Sequence, residues 1–277
     1  MKNGFLIVKK PQKLTSFDII RQARKILNTK KIGHAGTLDP FAEGLLILGV
    51  EKGTKLLEYI ISEDKSYIAK LHLGKNSDTY DRDGEITKIS ETKPDIKEIQ
   101  KILKNFQGEI MQTPPAHSAI KINGQRAYSL ARKGEKIQIK ARKTKVNDIK
   151  ILNYNYPHLE INVSVISGFY VRSLAYDIGQ RLGTGAYLEE LNRYRIGQFN
   201  INQASEISKE NIIPFQKNNL NIDCIDVNED TKNKIKHGQK LPNPKGITED
   251  IALFYENELI CIAKGLEHCI KPHKVLI

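Results

Sequence analysis

The chain is predicted to form an α+β fold, in which strands and helices are mixed without a regular strand–helix–strand alternation. Two kinds of pattern support this prediction. Several segments have the alternating or continuous apolar residues of strands, whereas others repeat apolar residues every three or four positions, as helices do. The 277 residues are enough for one large domain and a small second unit.

The first elements form a strand, a helix, a second strand and a short helix. Residues 4–9 predict an apolar strand, and Thr15 or Ser16 can cap the helix that follows it. Residues 44–50 predict a buried strand, and 55–61 a short helix. The first helix is predicted from apolar residues at helical spacing, namely Ile19, Ile20, Ala23, Ile26 and Leu27.

The middle of the chain continues the mixture of elements. Residues 65–73 alternate apolar and polar side chains and predict a half-buried strand. The aspartates of 78–84 lack the spacing and the closing glutamate of a calcium loop, so they predict a hydrogen-bonded turn. An amphipathic helix is predicted over 94–106, followed by an irregular segment at 112–117.

The C-terminal half begins with two predicted neighbouring strands, at 143–154 and 160–166. A turn at 167–174 then opens into a helix that ends near Leu182. The polar, asparagine-rich stretch 200–221 is predicted to be a linker. Short strands and turns from residue 222 onward predict a small β-rich unit.

The charge of the chain favours a polyanionic partner, because 44 Lys+Arg against 32 Asp+Glu give a formal net charge of +12. Basic residues are concentrated between 121 and 145, where they are interleaved with Tyr128 and glycines around a single acid, Glu135. A solvated charged surface is one interpretation, but this interleaving is typical of a surface that follows phosphates, so we expect a nucleic acid. The basic residues are Lys121, Arg126, Arg132, Lys133, Lys136, Lys140, Arg142, Lys143 and Lys145.

Several other classes of protein are disfavoured. No apolar run is long enough to span a membrane, and the apolar stretch at 5–8 is too short for a signal peptide, so a cytoplasmic location is predicted. The three cysteines form no Cys-x-x-Cys pair. Cysteines and histidines of the tail lack the paired spacing of zinc ligands, so no metal is predicted. They are Cys261, His268, Cys269 and His273.

The loop over 33–40 is the strongest candidate for chemistry. Gly33 and Gly36 permit positive φ angles, and Pro40 favours an extended backbone at Asp39. A carboxylate held by a stiff backbone beside a strand can serve as a nucleophile or as an acid/base group. An ordinary glycine-rich turn is the alternative.

Further motifs occur in a fixed order around this loop. They are Lys10-Pro11, the loop 33–40, Lys65-Ser66-Tyr67, Asp78-Thr79 with Asp81 and Gly84, Thr113-Pro114-Pro115, the segment 167–174, and Leu191-Asn192-Arg193. In this order, over about residues 4–200, they resemble the bacterial TruB family of tRNA pseudouridine synthases.

The resemblance implies a fold and an activity. The fold is the pseudouridine synthase fold, whose central mixed, mainly antiparallel sheet is flanked by helices. It implies a catalytic domain over 1–215 with an RNA-gripping insertion at about 108–145, and a short PUA-like RNA-binding domain over 222–277. The implied reaction converts the T-loop uridine 55 of tRNA to pseudouridine without a cofactor or a metal. No protein partner is implied, and we expect a monomer.

The resemblance also implies roles for individual residues. Asp39 would act as nucleophile or base on a flipped-out uridine, with Arg172 and Tyr67 as the other catalytic residues. A guanidinium beside an enclosed carboxylate lowers the pKa of that carboxylate and aims it bidentately. His34 would stack in the space that the base leaves. The implied substrate-binding residues are His34, Tyr170, Leu191, Lys10 and Arg193, and the RNA-backbone residues are Lys121, Arg126, Arg132, Lys133, Arg142 and Lys143.

Two other functions stay open. A protein that binds or folds tRNA without catalysis would use the same basic surface. A glycosidase that depends on carboxylates would need a second acid at a fixed distance from Asp39, and Glu43 is the nearest in sequence.

Overall fold

The computed structural model describes residues 2–277 except 119, 123, 128, 129, 131–138, 219 and 245. The α-helices are α1 (Ser16–Leu27), α2 (Leu57–Ile61), α3 (Ile96–Lys104), α4 (Val171–Leu182) and α5 (Glu229–Lys236). Short 3-10 helices lie at Glu51–Leu56 and Ile201–Gln203. The strands are β1 (Gly4–Lys10), β2 (Ile32–His34), β3 (Glu43–Val50), β4 (Lys65–Leu73), β5 (Lys75–Ser77), β6 (Ile86–Lys88), β7 (Gly108–Gln112), β8 (Lys121–Ile122), β9 (Gln125–Arg126), β10 (Arg142–Asn155), β11 (His158–Val165), β12 (Ala186–Ile196), β13 (Phe199–Asn200), β14 (Asp223–Asp226), β15 (Leu241–Pro242), β16 (Asp250–Tyr255), β17 (Glu258–Leu266) and β18 (Cys269–Val275).

A large sheet forms the centre of the molecule. Its strands lie in the order β1-β3-β12-β4-β11-β10-β7, with β2 paired to β3 and β13 paired to β12. The pairing of β12 with β3 is parallel, whereas the other pairings within this sheet are antiparallel. The predicted α+β class and the mixed, mainly antiparallel sheet are therefore confirmed.

Helix α1 covers β1 and β3 on one face of this sheet. Its N-terminus has the predicted cap, because Thr15 and Asp18 form a capping box that satisfies orphan backbone donors. The buried side of α1 packs on Leu6, Leu46 and other residues of β1 and β3. Ile26, one of the apolar residues from which the helix is predicted, lies outside this buried side and is 54% exposed.

The helices α3 and α4 cover the other half of the sheet. The predicted alternation of β4 is confirmed, since the apolar side chains of one face are buried against α4. These side chains are Tyr67, Ala69, Leu71 and Leu73. Arg193 of β12 lies opposite Tyr67 of β4 and opposite Gly44 of β3, so these three residues are on one face of the sheet. Leu46, two residues after Gly44, is on the same face and packs under α1. Helices α1 and α4 therefore cover the same face of the sheet.

A five-stranded sheet, β14-β16-β17-β18-β15, forms the C-terminal sheet and confirms the predicted β-rich end. It packs on the face of β1 and β3 that α1 leaves free, and the two sheets share one apolar layer. The hydroxyl of Tyr59, on α2, donates a hydrogen bond of 2.6 Å to Asp250 of the C-terminal sheet. The shared layer includes Phe5, Ile7, Leu45, Ile47, Ala252, Phe254, Ile262 and Leu276.

Two sequence predictions are corrected. The stretch 200–221 is not a free linker, because Ile213 exchanges two backbone hydrogen bonds with Phe5 of β1, and Ile212 and Phe215 are buried. The predicted helix over 55–61 begins as the 3-10 helix and becomes α-helical only at Leu57.

Within the described residues, no helix is both long and apolar enough to cross a membrane.

Candidate active site

The loop between β2 and β3, residues 35–42, carries Asp39 four residues before the start of β3 and is called the Asp39 loop below. Ser16, at the start of α1, accepts a hydrogen bond of 2.9 Å from the Leu38 N–H and donates one of 3.3 Å to the Leu38 carbonyl. The Lys13 N–H donates to the Pro40 carbonyl at 2.8 Å. The backbone on both sides of Asp39 is therefore fixed by the N-terminal end of α1.

Arg172, the second residue of α4, holds the Asp39 carboxylate from two directions. Its Nε lies 3.0 Å from Oδ2 of Asp39, and its Nη2 donates to Oδ1 at 3.3 Å. Nη2 also donates to the His117 carbonyl at 2.9 Å. The side chain of Arg172 is 6% exposed, whereas that of Asp39 is 35% exposed. The structure thus brings together two of the predicted catalytic residues and leaves the carboxylate accessible.

Asp81 is a second carboxylate on the same guanidinium. Its Oδ2 lies 3.2 Å from Nη1 of Arg172. Its Oδ1 accepts hydrogen bonds from the Thr79 hydroxyl at 2.6 Å and from the Asp83 N–H at 3.1 Å. The sequence analysis predicted the hydrogen-bonded turn but gave Asp81 no role in the site. The only signal in the sequence was its position in one of the ordered motifs.

The last residue of β7 and the irregular segment after it fix the start of α4. The Tyr170 N–H donates to Oε1 of Gln112 at 2.9 Å, and Nε2 of Gln112 donates to the Tyr170 carbonyl at 3.0 Å. The Ser173 hydroxyl donates to the Thr113 carbonyl at 2.7 Å. Gln112 thus pairs with both backbone groups of Tyr170, the residue before α4, a role that the sequence did not predict. These bonds hold the helix turn that carries Arg172.

Arg193 lies beneath the Asp39 loop and not on its surface. The residue is 1% exposed, and its Nε donates to the Leu45 carbonyl at 2.9 Å. Its Nη2 donates to the carbonyl of Gly36, a residue whose φ of 88° suits glycine. The prediction of a direct substrate contact is therefore corrected, because the donors of Arg193 are used to hold the loop.

Lys10 is also buried, which corrects the prediction that it binds the substrate directly. The residue is 0% exposed, and its Nζ donates to the carbonyls of Leu14 at 2.7 Å and Pro11 at 2.9 Å. A longer bond of 3.5 Å reaches the Pro40 carbonyl, next to Asp39. With these contacts, Lys10 supports the loop from the side opposite to the solvent.

Tyr67 and Leu191 form the sheet side of the site. In the register of β4 and β12, Tyr67 lies opposite Arg193, and Leu191 lies opposite Ala69. Tyr67 is 7% exposed, its hydroxyl is hydrogen-bonded to Arg193, and burial raises its pKa. Both side chains belong to the same apolar cluster as Leu38 of the Asp39 loop. The predicted pocket residues therefore meet the loop at an apolar wall.

His34, the last residue of β2, lies beside the loop in register with Leu48 of β3. Burial and the nearby charge of Arg193 lower the pKa of the imidazole, so the ring is neutral near pH 7. Its Nδ1 is buried and has no hydrogen-bond partner among the described residues. The neutral ring is consistent with stacking in place of a displaced base.

The electrostatics of Asp39 combine opposing effects. Burial raises the pKa of the Asp39 carboxyl above its ordinary value, and Arg172 opposes this rise. The second carboxylate, Asp81, adds to the rise, and Lys10 opposes it. Arg172 thus limits the rise without reversing it, whereas the sequence analysis had considered only its lowering effect.

The predicted RNA-backbone residues are only partly described. The guanidinium of Arg142 lies 5.2 Å from the Tyr170 ring and donates a hydrogen bond to the Gly168 carbonyl. Lys143 is exposed and forms an ion pair of 2.8 Å with Glu109. Arg132 and Lys133 lie outside the described residues, as do the side chains of Lys121 and Arg126.

This arrangement fits chemistry that needs one accessible carboxylate against an apolar wall. Such a group can attack an electrophilic carbon or remove a proton, and the fixed guanidinium keeps it aimed. The acid that shares Arg172 with it is Asp81. Glu43 instead accepts a hydrogen bond of 3.3 Å from Asn192, on the neighbouring strand. The described residues include no cluster of three side chains that could hold a metal ion.

The buried ammonium of Lys10 makes a testable contribution to stability. Burial lowers the pKa of Lys10 to about 8, so the unfolded chain binds more protons than the folded chain between about pH 8 and 10.5. This group therefore makes the free energy of unfolding rise with pH across that window. We expect the Lys10→Met variant to lose this part of the rise in urea unfolding curves. The Lys97→Met variant, which changes an exposed lysine, serves as the control. An equal slope for wild type and Lys10→Met would contradict the prediction.

Comparisons with known proteins agree with this geometry. Residues 24–171 match the model of the TruB family pseudouridylate synthase, N-terminal domain. The tRNA pseudouridine synthase B of Clostridium tetani is 38% identical over 288 residues, which cover 99% of this chain and 100% of that protein. The enzyme of the same name from Chlamydia felis is 47% identical over 204 residues, covering 73% of this chain and 86% of that protein. A chain in the crystal structure of a Cbf5-Nop10-Gar1 complex has the same fold, with a TM-score of 0.76, 24% identity, and coverage of 99% of this chain and 85% of that one.

The α+β sheet and the arginine-held aspartate, together with these matches, define a pseudouridylate synthase. Within this class, the chain belongs to the TruB family.

Proposed function

We propose that the chain converts a uridine of tRNA to pseudouridine, and that the target is uridine 55 of the T loop. The observation that carries this proposal is the accessible Asp39 carboxylate, held bidentately by the buried Arg172 beside Tyr67 and Leu191. The relatives named tRNA pseudouridine synthase B support tRNA as the substrate. We further propose that the protein acts as a monomer in the cytoplasm.

Asp39 performs the step that separates base and sugar. The N1–C1′ bond of the uridine breaks, the base turns within the pocket, and a C5–C1′ bond forms, after which the C5 hydrogen leaves to water. The carboxylate must be ionised to act as nucleophile or base. Arg172 limits the rise in the pKa of Asp39 that burial causes, and it fixes the direction of both oxygens. The buried position of Arg172 keeps this geometry in place before the RNA binds.

The base reaches this carboxylate only after it leaves the RNA stack, at a cost of a few kcal/mol. Tyr67, Leu191 and Tyr170 surround the base, and the apolar wall excludes water from the reacting atoms. The neutral His34 ring stacks in the vacated space. Arg193 and Lys10 act as positioning residues, since each bonds carbonyls of the Asp39 loop.

The remaining parts of the chain bind RNA in this proposal. The insertion at about 108–145 contributes phosphate contacts through Arg142 and Lys143, and residues 222–277 form the PUA-like RNA-binding domain. Phosphate contacts of this kind position the RNA without reading its sequence.

The proposal is tested with a tRNA transcript whose uridines carry tritium at C5. We expect the wild-type protein to release tritium into water, in an amount that approaches one equivalent per tRNA, because C5 loses its hydrogen when it joins C1′. A matched transcript in which only uridine 55 is replaced by cytidine should release none. Binding of the first transcript without release would favour the non-catalytic tRNA-binding alternative. Equal release from both transcripts would place the target elsewhere.

A further inference from the structure

Helix α1 carries an exposed aromatic ring, that of Phe17, with two arginine side chains near it. Phe17 is 47% exposed, although most other large apolar side chains of α1 are buried. The guanidinium carbons of Arg21 and Arg24 lie 5.0 Å and 5.6 Å from the centroid of its ring. We call these three residues the Phe17 surface.

The Phe17 surface lies next to the Asp39 loop. The side-chain hydroxyl of Ser16, the neighbour of Phe17, accepts a hydrogen bond from the Leu38 N–H and donates one to the Leu38 carbonyl. At the other end of the surface, Nη2 of Arg24 donates to the carbonyl of Ile32, two residues before His34. The start of α1, next to Phe17, therefore adjoins the Asp39 loop, and Arg24 on the same flank of the helix reaches β2.

The fold itself does not account for this ring. The cap of α1 is supplied by Thr15 and Asp18, and its packing by the opposite side of the helix. Arg21 does pair with Asp18 at 3.1 Å, but its side chain is 68% exposed, so water screens this ion pair. Nε of Arg24 is buried without a hydrogen-bond partner among the described residues. The exposed part of the Phe17 ring and the guanidinium of Arg21, whose described contacts are that ring and a solvent-screened ion pair, are thus open to a ligand.

We propose that the Phe17 surface is an RNA-binding site that extends the candidate active site. The ring of Phe17 stacks on an unpaired base, and the guanidinium of Arg21 contacts a phosphate of the same strand. An aromatic ring flanked by arginines suits single-stranded RNA, because every base has a face that can stack and every linkage has a negative charge. This inference rests on the proposed function, since it takes the RNA in the site to be the occupant.

Charge favours RNA over a protein partner as the occupant. A protein-binding patch has a contiguous apolar centre, whereas Phe17 is surrounded by cations. Other exposed lysines lie shortly before or after α1, namely Lys13, Lys30 and Lys31.

The test measures binding of a tRNA transcript in the Asp39→Asn background, so that no turnover occurs. We expect Phe17→Ala to weaken binding by about tenfold, within the range for one base stacked on an aromatic side chain. The Phe17→Trp variant should restore most of the affinity. The Ile26→Ala variant is the matched control, because Ile26 is 54% exposed on the other flank of the same helix. Thermal unfolding of each variant verifies that α1 is intact.

Salt dependence gives a second readout. We expect Arg21→Gln to reduce the slope of log affinity against log salt by about 0.7 to 0.9, the effect of one lost phosphate contact. Lys25→Gln, on the same helix, is the matched control for charge. Wild-type affinity in Phe17→Ala, or equal losses in Phe17→Ala and Ile26→Ala, would overturn the proposal. Tritium release by the wild-type protein is measured in parallel, so a failure of the proposed function is distinguished from a failure of this surface.

Discussion

Replacement of Asp39 by asparagine is expected to lower tritium release by about a thousandfold or more, as the loss of a nucleophile does in other enzymes. The amide keeps the size of the side chain and can still accept a hydrogen bond from Arg172, but it cannot attack carbon or remove a proton. Binding of the tRNA transcript should persist, because the contacts to Leu38 and Pro40 that fix the loop are backbone contacts. Single-turnover release and equilibrium binding are the two measurements.

Glu43→Gln is the matched control for this experiment. Glu43 is also an acid at the Asp39 loop, but its carboxylate accepts a hydrogen bond from Asn192, which a glutamine oxygen can also do. We expect its rate to remain within a few-fold of wild type. An equal collapse in both variants would instead indicate a reaction that needs two carboxylates, as in a glycosidase.

Replacement of Arg172 by lysine is expected to lower the rate by about a hundredfold, the scale of one lost transition-state contact, even though the charge is kept. A single ammonium cannot reproduce the fork that contacts Asp39 and Asp81 together. Because the ammonium cannot contact both oxygens of Asp39 as the guanidinium does, it stabilises the carboxylate less, and the Asp39 carboxyl is protonated at a higher pH. Since the ionised form is the active one, activity should be lost at a higher pH than in wild type as the pH falls. The measurement is the pH profile of single-turnover tritium release.

Asp81→Asn is a control that should shift the pH profile in the opposite direction. It removes the like charge that adds to the pKa of Asp39, so the acid side of the profile should move to lower pH. The two variants therefore shift the profile in opposite directions if Asp39 is the titrating group. Shifts in the same direction, or a profile unchanged in Arg172→Lys, would show that another group controls the pH dependence.

Local patterns were sufficient to predict much of the fold. The capping residues and apolar spacing located α1, and strict alternation located β4, because these elements are amphipathic by themselves. Strand β12 has no such signal. Its Leu188-Glu189-Glu190-Leu191 run has helical spacing, and the strand becomes regular only through its pairing with β4, where two bulges interrupt the register. Tertiary contacts decide its structure, so a single sequence does not reveal it.

The same limit applies to the site. The loop chemistry drew attention to Asp39, and the resemblance to the family added Arg172. Asp81 is 91 residues from Arg172 in the chain, and its role depends on a turn that only the fold brings to α4. The carbonyl partners of Lys10 and Arg193 are backbone groups, which leave no trace in side-chain patterns. Lys10 was therefore predicted to bind the substrate, whereas the structure places it as a buried support of the loop.

The shared apolar layer beneath β1 and β3 has a mechanical consequence. Strand β3 begins directly after the Asp39 loop, and its Leu45 and Ile47 pack in one layer with the C-terminal sheet. A force applied to that sheet is therefore transmitted through close-packed side chains, which are stiff, and not absorbed by bending of the connecting chain. A displacement of the C-terminal sheet would therefore reach the Asp39 loop along a single strand.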